Sequence, residues 1–343
     1  MQSIAILKLS AIGDTILTVP LVRCLQRHFP SVKITWIIGR GAYSLLSGLS
    51  DVEFIVIDKP RSLRDYWRFY QQMKSRSFDV LLALQTSLRA NVMLPGIHAK
   101  QKIGFDAVRG REGHTFVTQE KIVFRPNHYV EGYLQFAEYL GAKDLSVEWN
   151  LPIGTEAETW AENWIQQHPG KWIAIHPATS QIEKKWPTEN YIQLIQKILD
   201  HTEMNVVLTG GSGTTEISKK IAEAVIVRAH GDQNNSDWKR VVEWSGDQSL
   251  TLKKLGALFT KMHCVIAPDT GPLHLANALK VPVIGLYAVT NPRQAGPYDF
   301  QNLTVNCYPS SPAISFGKKM HRRNGMSQIT PEMVFNKLMQ ECR

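Results

Sequence analysis

Short apolar runs alternate with segments of helical spacing through the first half of the chain, and the same alternation starts afresh in the second. Parallel strands joined by helices are covered on both faces, so they read as unbroken apolar stretches and not as alternating ones. Ile4–Leu9, Ile34–Ile38, Phe54–Ile57 and Val80–Leu84 have that form, while Thr15–His28 and Leu63–Lys74 between them space apolar residues as helices do. The first helix is expected to stop at His28-Phe29-Pro30, because proline cannot continue it. Tyr129–Leu140 reads as a helix ended by Gly141, and Ala142–Gly154, aperiodic and carrying Pro152, as the junction between two domains. Beyond it, Trp172–His176, Val206–Thr209, Cys264–Ala267 and Val283–Tyr287 read as strands. Thr188–Leu199, Thr215–Ala224, Leu250–Thr260, Pro272–Leu279 and Pro331–Cys342 read as helices. The pattern predicts an α/β chain of two doubly wound, Rossmann-like domains, 1–150 and 151–343, with a cleft between them and a last helix free to fold back on the first domain.

The 343 residues, 43% apolar and 20% charged, suffice for two cores and argue against disorder. Met1-Gln2-Ser3 and the run Ile4–Leu7, broken at once by Lys8, do not resemble a secretory leader. No uncharged apolar stretch of about 18 residues is present either. A cytoplasmic location is therefore expected. The four cysteines, Cys24, Cys264, Cys307 and Cys342, are far apart without a CxxC pair and read as ordinary thiols. Residues 1–150 hold 19 Lys and Arg against 13 Asp and Glu, which is six of the nine net positive charges. That half is expected to face something negative. No aromatic-interleaved basic stretch points to nucleic acid, so an anionic membrane surface or a phosphorylated acceptor is the expected partner.

Candidate chemistry collects after the strands, where open α/β sheets bind ligands. The first strand runs into Ser10-Ala11-Ile12-Gly13-Asp14-Thr15, which places Asp14 at a strand-to-helix turn. A carboxylate there is also a plain helix cap, and spacing alone favours that simpler reading. Lone Gly13 is no dinucleotide fingerprint. In the second half, His176-Pro177-Ala178-Thr179-Ser180 and Lys184-Lys185-Trp186-Pro187 offer hydroxyls, amides and ammonium groups for a diphosphate, or form a polar loop with a solvated lysine pair. Thr209-Gly210-Gly211-Ser212-Gly213 with Glu216 can approach a ribose or be a flexible turn. Ala267-Pro268-Asp269-Thr270-Gly271-Pro272-Leu273-His274 is the sharpest signal; its bland alternative is a buried helix cap at Asp269. Three such loops on one sheet edge favour a nucleotide site over three unrelated caps.

Lys8-Leu9-Ser10-Ala11-Ile12-Gly13-Asp14, Lys184-x-Trp186-Pro187, Asp269-Thr270-Gly271-Pro272-x-His274 and Pro282–Tyr287, in that order over nearly the whole chain, resemble the bacterial lipopolysaccharide heptosyltransferases. These are inverting GT-B glycosyltransferases that use ADP-L-glycero-β-D-manno-heptose. Ile34–Gly39, Leu88-Arg89-Ala90 and Gly104-Phe105-Asp106 are most similar to the heptosyltransferase I branch, which adds the first heptose to phosphorylated Kdo on lipid A. The resemblance implies a GT-B fold with an acceptor-binding first domain and a donor-binding second one. It implies Asp14 as general base and Lys184, with Thr179 and Ser180, as ligands of the donor phosphates. Lys185 departs from the common pattern and can share that task. Asp269, Thr270, Gly271 and His274 match the donor loop; Leu250 matches the position packed on adenine and Glu216, loosely, the ribose ligand. No Asp-x-Asp pair stands at a strand end, in keeping with a metal-independent family that needs no cofactor.

The implied reaction is one in-line displacement, with Asp14 taking the acceptor proton and Lys184, Thr270 and helix-end amides meeting the charge on departing ADP. Ser10 and, from charge and position, Arg61, Arg64 and Arg89 are the expected acceptor ligands. The expected partners are ADP-heptose, Kdo-lipid A with or without a phosphate on the Kdo, and the anionic inner face of the cytoplasmic membrane. The rival readings are another member of the family such as heptosyltransferase II, a GT-B nucleotide-sugar epimerase, a nicotinamide-dependent oxidoreductase, and a catalytically silent binding module. Joint presence of Asp14 and Lys184 speaks against the last, and the missing GxGxxG against the oxidoreductase.

Overall fold

Two six-stranded sheets, every strand parallel to its neighbours, organise the chain in a computed structural model that describes residues 1–211, 215–230, 237–244, 250–309 and 325–341. Ser212, Gly213 and Cys342 lie outside the described residues. The chain divides after Pro152 into two units.

The first unit runs β1 (Ser3–Leu7), α1 (Ile12–Ile16), α2 (Val19–His28), β2 (Lys33–Gly39), α3 (Arg40–Leu46) and β3 (Val52–Ile57). It continues through α4 (Leu63–Met73), β4 (Ser77–Ala83), α5 (Leu88–Met93), β5 (His98–Phe105), β6 (Glu120–Ile122) and α6 (Tyr129–Tyr139). Its strand order is β3-β2-β1-β4-β5-β6. Ile4 to Leu7 of central β1 have no exposed surface at all, as a strand covered by helices on both faces requires. The single helix expected over Thr15–His28 is two, parted at Leu17 and Thr18. The cause is Pro20: it lacks an N–H, and inside a continuous helix its ring would clash with the Ile16 carbonyl, so it sits in the first turn of a new helix instead.

The second unit runs α7 (Thr155–Gln167), β7 (Trp172–Ile175), α8 (Thr188–His201), β8 (Asn205–Leu208), α9 (Thr215–His230), β9 (Val241–Glu243) and α10 (Leu252–Phe259). Then come β10 (Cys264–Pro268), α11 (Gly271–Ala278), β11 (Val283–Tyr287), α12 (Pro292–Ala295), β12 (Val305–Asn306) and α13 (Pro331–Glu341). The order β12-β11-β10-β7-β8-β9 repeats the topology of the first sheet. α10 starts at Leu252 and not at Leu250, because the Thr251 hydroxyl accepts the Lys254 amide N–H and caps it. α13 lies against α8, β11 and β12, burying Val334 and Leu338, so its apolar face is used within the second unit.

Candidate active site

In each sheet the strand order reverses once, between β1 and β4 in the first unit and between β7 and β10 in the second. The crevice at the carboxyl ends of the strands on either side of such a reversal is where this topology binds ligands. The candidate residues gather at these two points.

In the first unit, the Gln85 side-chain oxygen, just beyond β4, accepts the amide N–H groups of Leu9 and Ser10, each at 3.3 Å. The Trp36 indole N–H donates to the Lys8 carbonyl at 3.1 Å. With the turn so held, the Lys8 ammonium points at Asp14, Nζ to Oδ2 3.0 Å. Asp14 is not a cap: Ala11 occupies the cap position of α1 and no side chain bonds there. Burial works against the Lys8 charge, but Asp14 and the Tyr133 hydroxyl outweigh it and hold the ammonium well above the ordinary lysine range. Tyr133 itself is pushed up by burial, and its ring centre lies 5.2 Å from Lys8 Nζ. The result is a half-exposed carboxylate with one oxygen fixed by a buried cation.

Across the reversal, Arg89 Nη2 donates to Ser10 Oγ at 3.3 Å. Both residues line an open cavity of about 370 Å³ together with Leu9, Ile12, Gly39–Ala42 and Ile57–Pro60. Arg61 and Arg64 do not line it. They are exposed at the start of α4, where Asp65 accepts the Arg61 and Ser62 amide N–H groups.

In the second unit, Lys184 follows β7 and Asp269 directly follows β10; Nζ and Oδ2 meet at 2.5 Å across the strand reversal. The Thr290 hydroxyl donates to the same oxygen at 2.6 Å, and His274 Nε2 lies 3.6 Å from Oδ1. Burial raises the Asp269 carboxyl, but His274 and Lys184 overcome it and hold the group well below the usual carboxylate range. Lys184 is aimed by its neighbour: Trp186 is buried, donates to the Ile329 carbonyl at 2.8 Å and stands edge-on to Tyr191. Thr270 caps α11 by position, Gly271 and Pro272 open it, and the Thr270 hydroxyl turns back to the Pro268 carbonyl. Thr179 is buried in the preceding turn, where its hydroxyl accepts the Gln181 amide N–H. Ser180, Lys185 and, in the first turn of α9, Glu216 are exposed, while Leu250 is half-buried ahead of α10. His176 hydrogen-bonds the Thr209 hydroxyl at 3.0 Å, and burial lowers its imidazole to about 4.

Sequence reasoning brought Lys184, Asp269 and His274 to one place, and so does the fold. It passed over Lys8 and Thr290 as site residues. The signal for Lys8 was available: a cation ends the most apolar strand of the first half, six residues before Asp14.

Residues 66–324 match the profile of glycosyltransferase family 9 (heptosyltransferase). The chain is 32% identical over 348 aligned positions, 98% of its own length and 96% of the relative's, to the lipopolysaccharide core heptosyltransferase OpsX of Haemophilus influenzae. It is 23% identical to lipopolysaccharide heptosyltransferase 1 of Escherichia coli, over 86% of this chain and 90% of that one. Among solved structures, a family 9 glycosyltransferase of Veillonella parvula superposes with a TM-score of 0.81 at 21% identity, covering 99% and 97% of the two chains. The E. coli heptosyltransferase WaaC with ADP superposes with 0.72 at 21% identity, over 99% and 100%. The paired Rossmann-like sheets are thus those of the GT-B fold, and the chain belongs to glycosyltransferase family 9, the heptosyltransferases.

Proposed function

We propose that the protein transfers L-glycero-D-manno-heptose from ADP-heptose to Kdo of the lipopolysaccharide inner core, with inversion. The observation that carries this reading is the Lys8–Asp14 pair, a fixed and accessible carboxylate at the strand reversal of the first unit. Asp14 accepts the proton of the acceptor hydroxyl as its oxygen bonds to the anomeric carbon; the bond from that carbon to the β-phosphate oxygen breaks, and ADP leaves with the electron pair. The first unit is the acceptor domain, with Ser10, Arg61, Arg64 and Arg89 as ligands. The second is the donor domain. There Lys184, assisted by Lys185, Thr179, Ser180, Thr270, Gly271 and His274, meets the diphosphate charge, Asp269 holds Lys184 in place, and Glu216 and Leu250 attend ribose and adenine. Lys184 and the helix-end amides supply positive charge where the leaving group needs it, so turnover is expected to survive EDTA. The names of OpsX and heptosyltransferase 1 support the substrate assignment.

The same reading puts the enzyme on the cytoplasmic face of an anionic membrane, where a lipid-linked acceptor lies. Leu63 and Trp67 are exposed by 88% and 60% in the same segment as exposed Arg61, Arg64 and Arg68, a composition suited to a headgroup boundary. One assay tests the whole: radiolabelled ADP-heptose offered to lipid A bearing Kdo or phospho-Kdo. Transfer only to an already heptosylated core would make the chain a second-heptose enzyme, and epimerised donor without acceptor would make it an epimerase.

A further inference from the structure

One donor to the Asp269 carboxylate takes no part in the reaction as proposed. Asp269 Oδ2 receives both the Lys184 ammonium at 2.5 Å and the Thr290 hydroxyl at 2.6 Å, while Oδ1 faces His274 Nε2 at 3.6 Å. Lys184 Nζ also donates to the Asp269 main-chain carbonyl at 3.3 Å. An ammonium has three N–H donors, so two are engaged by Asp269 and one is left over. The lysine stem is flexible and its head group rotates, so the contacts at Nζ decide where that remaining donor aims. A carboxylate oxygen accepts along two lone-pair directions. With Thr290 in one of them, the ammonium is confined to the other. Thr290 is itself held: it lies three residues beyond β11, which pairs with β10, and Ala288 and Val289 before it are buried. After it, the Asn291 side chain accepts the Arg293 amide N–H at 3.0 Å and caps α12. The Tyr287 hydroxyl donates to the Ala295 carbonyl at 2.8 Å and ties α12 to its own strand. Threonine's branched side chain adds little rotamer freedom.

We propose that Thr290 is a positioning residue for the donor: its hydroxyl holds Asp269 Oδ2 so that the Lys184 ammonium sits on the other lone pair and turns its third N–H to the diphosphate. The inference rests on the reading that the second unit binds ADP-heptose. Thr290 acts through Asp269 and Lys184, without a contact of its own to the nucleotide. Take the hydroxyl away and Oδ2 has one neutral donor fewer, so it draws the ammonium more strongly, and the cation is free to swing across both lone-pair directions. Positive charge then moves from the leaving group towards a carboxylate that is 10% exposed, where solvent does little to offset the shift. A hydroxyl suits this task better than a second cation, because it orders the carboxylate without neutralising the charge that holds Lys184.

Calorimetry of ADP binding to the whole protein tests it and needs neither turnover nor acceptor. Thr290→Val keeps the branched shape and removes the hydroxyl, and ADP affinity should fall about tenfold. Thr290→Ser keeps the hydroxyl and should bind within about twofold of wild type. Added to Lys184→Ala, Thr290→Val should cause no further loss, the non-additivity of residues that act through one another; a substitution that merely loosened the loop would weaken binding in either background. Thermal melts followed by circular dichroism check that each variant is folded, and Thr290→Ala replaces Thr290→Val in the same cycle should the valine not be accommodated. Wild-type affinity in Thr290→Val, a serine variant as weak as the valine one, or an undiminished tenfold loss on top of Lys184→Ala overturns the proposal. Wild-type protein that binds no ADP would sink the donor reading itself, whereas normal wild-type binding beside an unaffected Thr290→Val would sink only the role of Thr290.

Discussion

Lys8 Nζ stands 3.0 Å from Asp14 Oδ2, the lysine side chain 4% exposed and the carboxylate 46%. The pair is asymmetric: a buried cation can hold the carboxylate still without shielding it from a substrate hydroxyl. Asp14→Asn keeps the shape and removes the proton acceptor, so kcat should fall about 100 to 10,000-fold with ADP affinity retained. Asp14→Ala should in addition destabilise the fold by about 1–3 kcal/mol, since Lys8 loses its anionic partner, tempered by water at the open side of the pair. A wild-type turnover rate for Asp14→Asn would confine the carboxylate to a structural role.

Lys184 is tied to Asp269 at 2.5 Å, and under the proposed donor role its removal would leave that carboxylate facing the diphosphate alone. Calorimetry on Lys184→Ala should find ADP binding weaker by about 1.5–3 kcal/mol. Unaltered affinity would transfer the role to exposed Lys185.

Two buried histidines set the acid response of stability. Burial lowers His176 to about 4, and burial with the charge of Lys121 lowers His114 to about 4. The unfolded chain titrates near 6.5, so it takes up protons first. Stability is then full above about 6.5 and declines as pH falls towards 4, by roughly 3 kcal/mol for His176. Asp269, held low in the fold, adds its own loss only below the ordinary carboxylate range. Denaturant unfolding between pH 4 and 8 should show a shallower decline for His176→Gln; an unchanged slope would remove His176 from the account.

Leu63 and Trp67 lie one helical turn apart on α4 and are both exposed. Burying side chains of this size at a bilayer boundary yields about 1.5–3 kcal/mol each. The Leu63→Ser, Trp67→Ser double variant should therefore sediment at least tenfold less with phosphatidylglycerol vesicles than wild type does. Equal sedimentation would place the membrane face elsewhere.

The strands were legible where burial on both faces writes itself as an apolar run, as in Ile4–Leu7 and Trp172–Ile175. β5 was not, because His98–Phe105 is polar for most of its length and only Ile103, Gly104 and Phe105 are buried. α7 was passed over although Ala157, Ala161 and Trp164 mark its buried face at helical spacing; its place beside the junction hid it. Lys184, Asp269 and His274 were readable as a group because each belongs to a local loop motif. The ion pair of Arg40 and Asp58 in the cavity lining was not, since it depends on β2 and β3 pairing so that Gly39 lies opposite Ile57, a register that neither segment specifies alone. Likewise Thr290 reaches Asp269 only because β10 and β11 are neighbours.

Trp186 and Asn190 both donate to one carbonyl, that of Ile329, two residues ahead of α13. The loop that aims Lys184 is thus moored to the far end of the polypeptide. Prying α13 off its sheet, by a cleavage before Pro331 or a bulky fusion at the end of that helix, would slacken the mooring, and donor affinity would register damage done far along the chain from the residues proposed to hold the nucleotide.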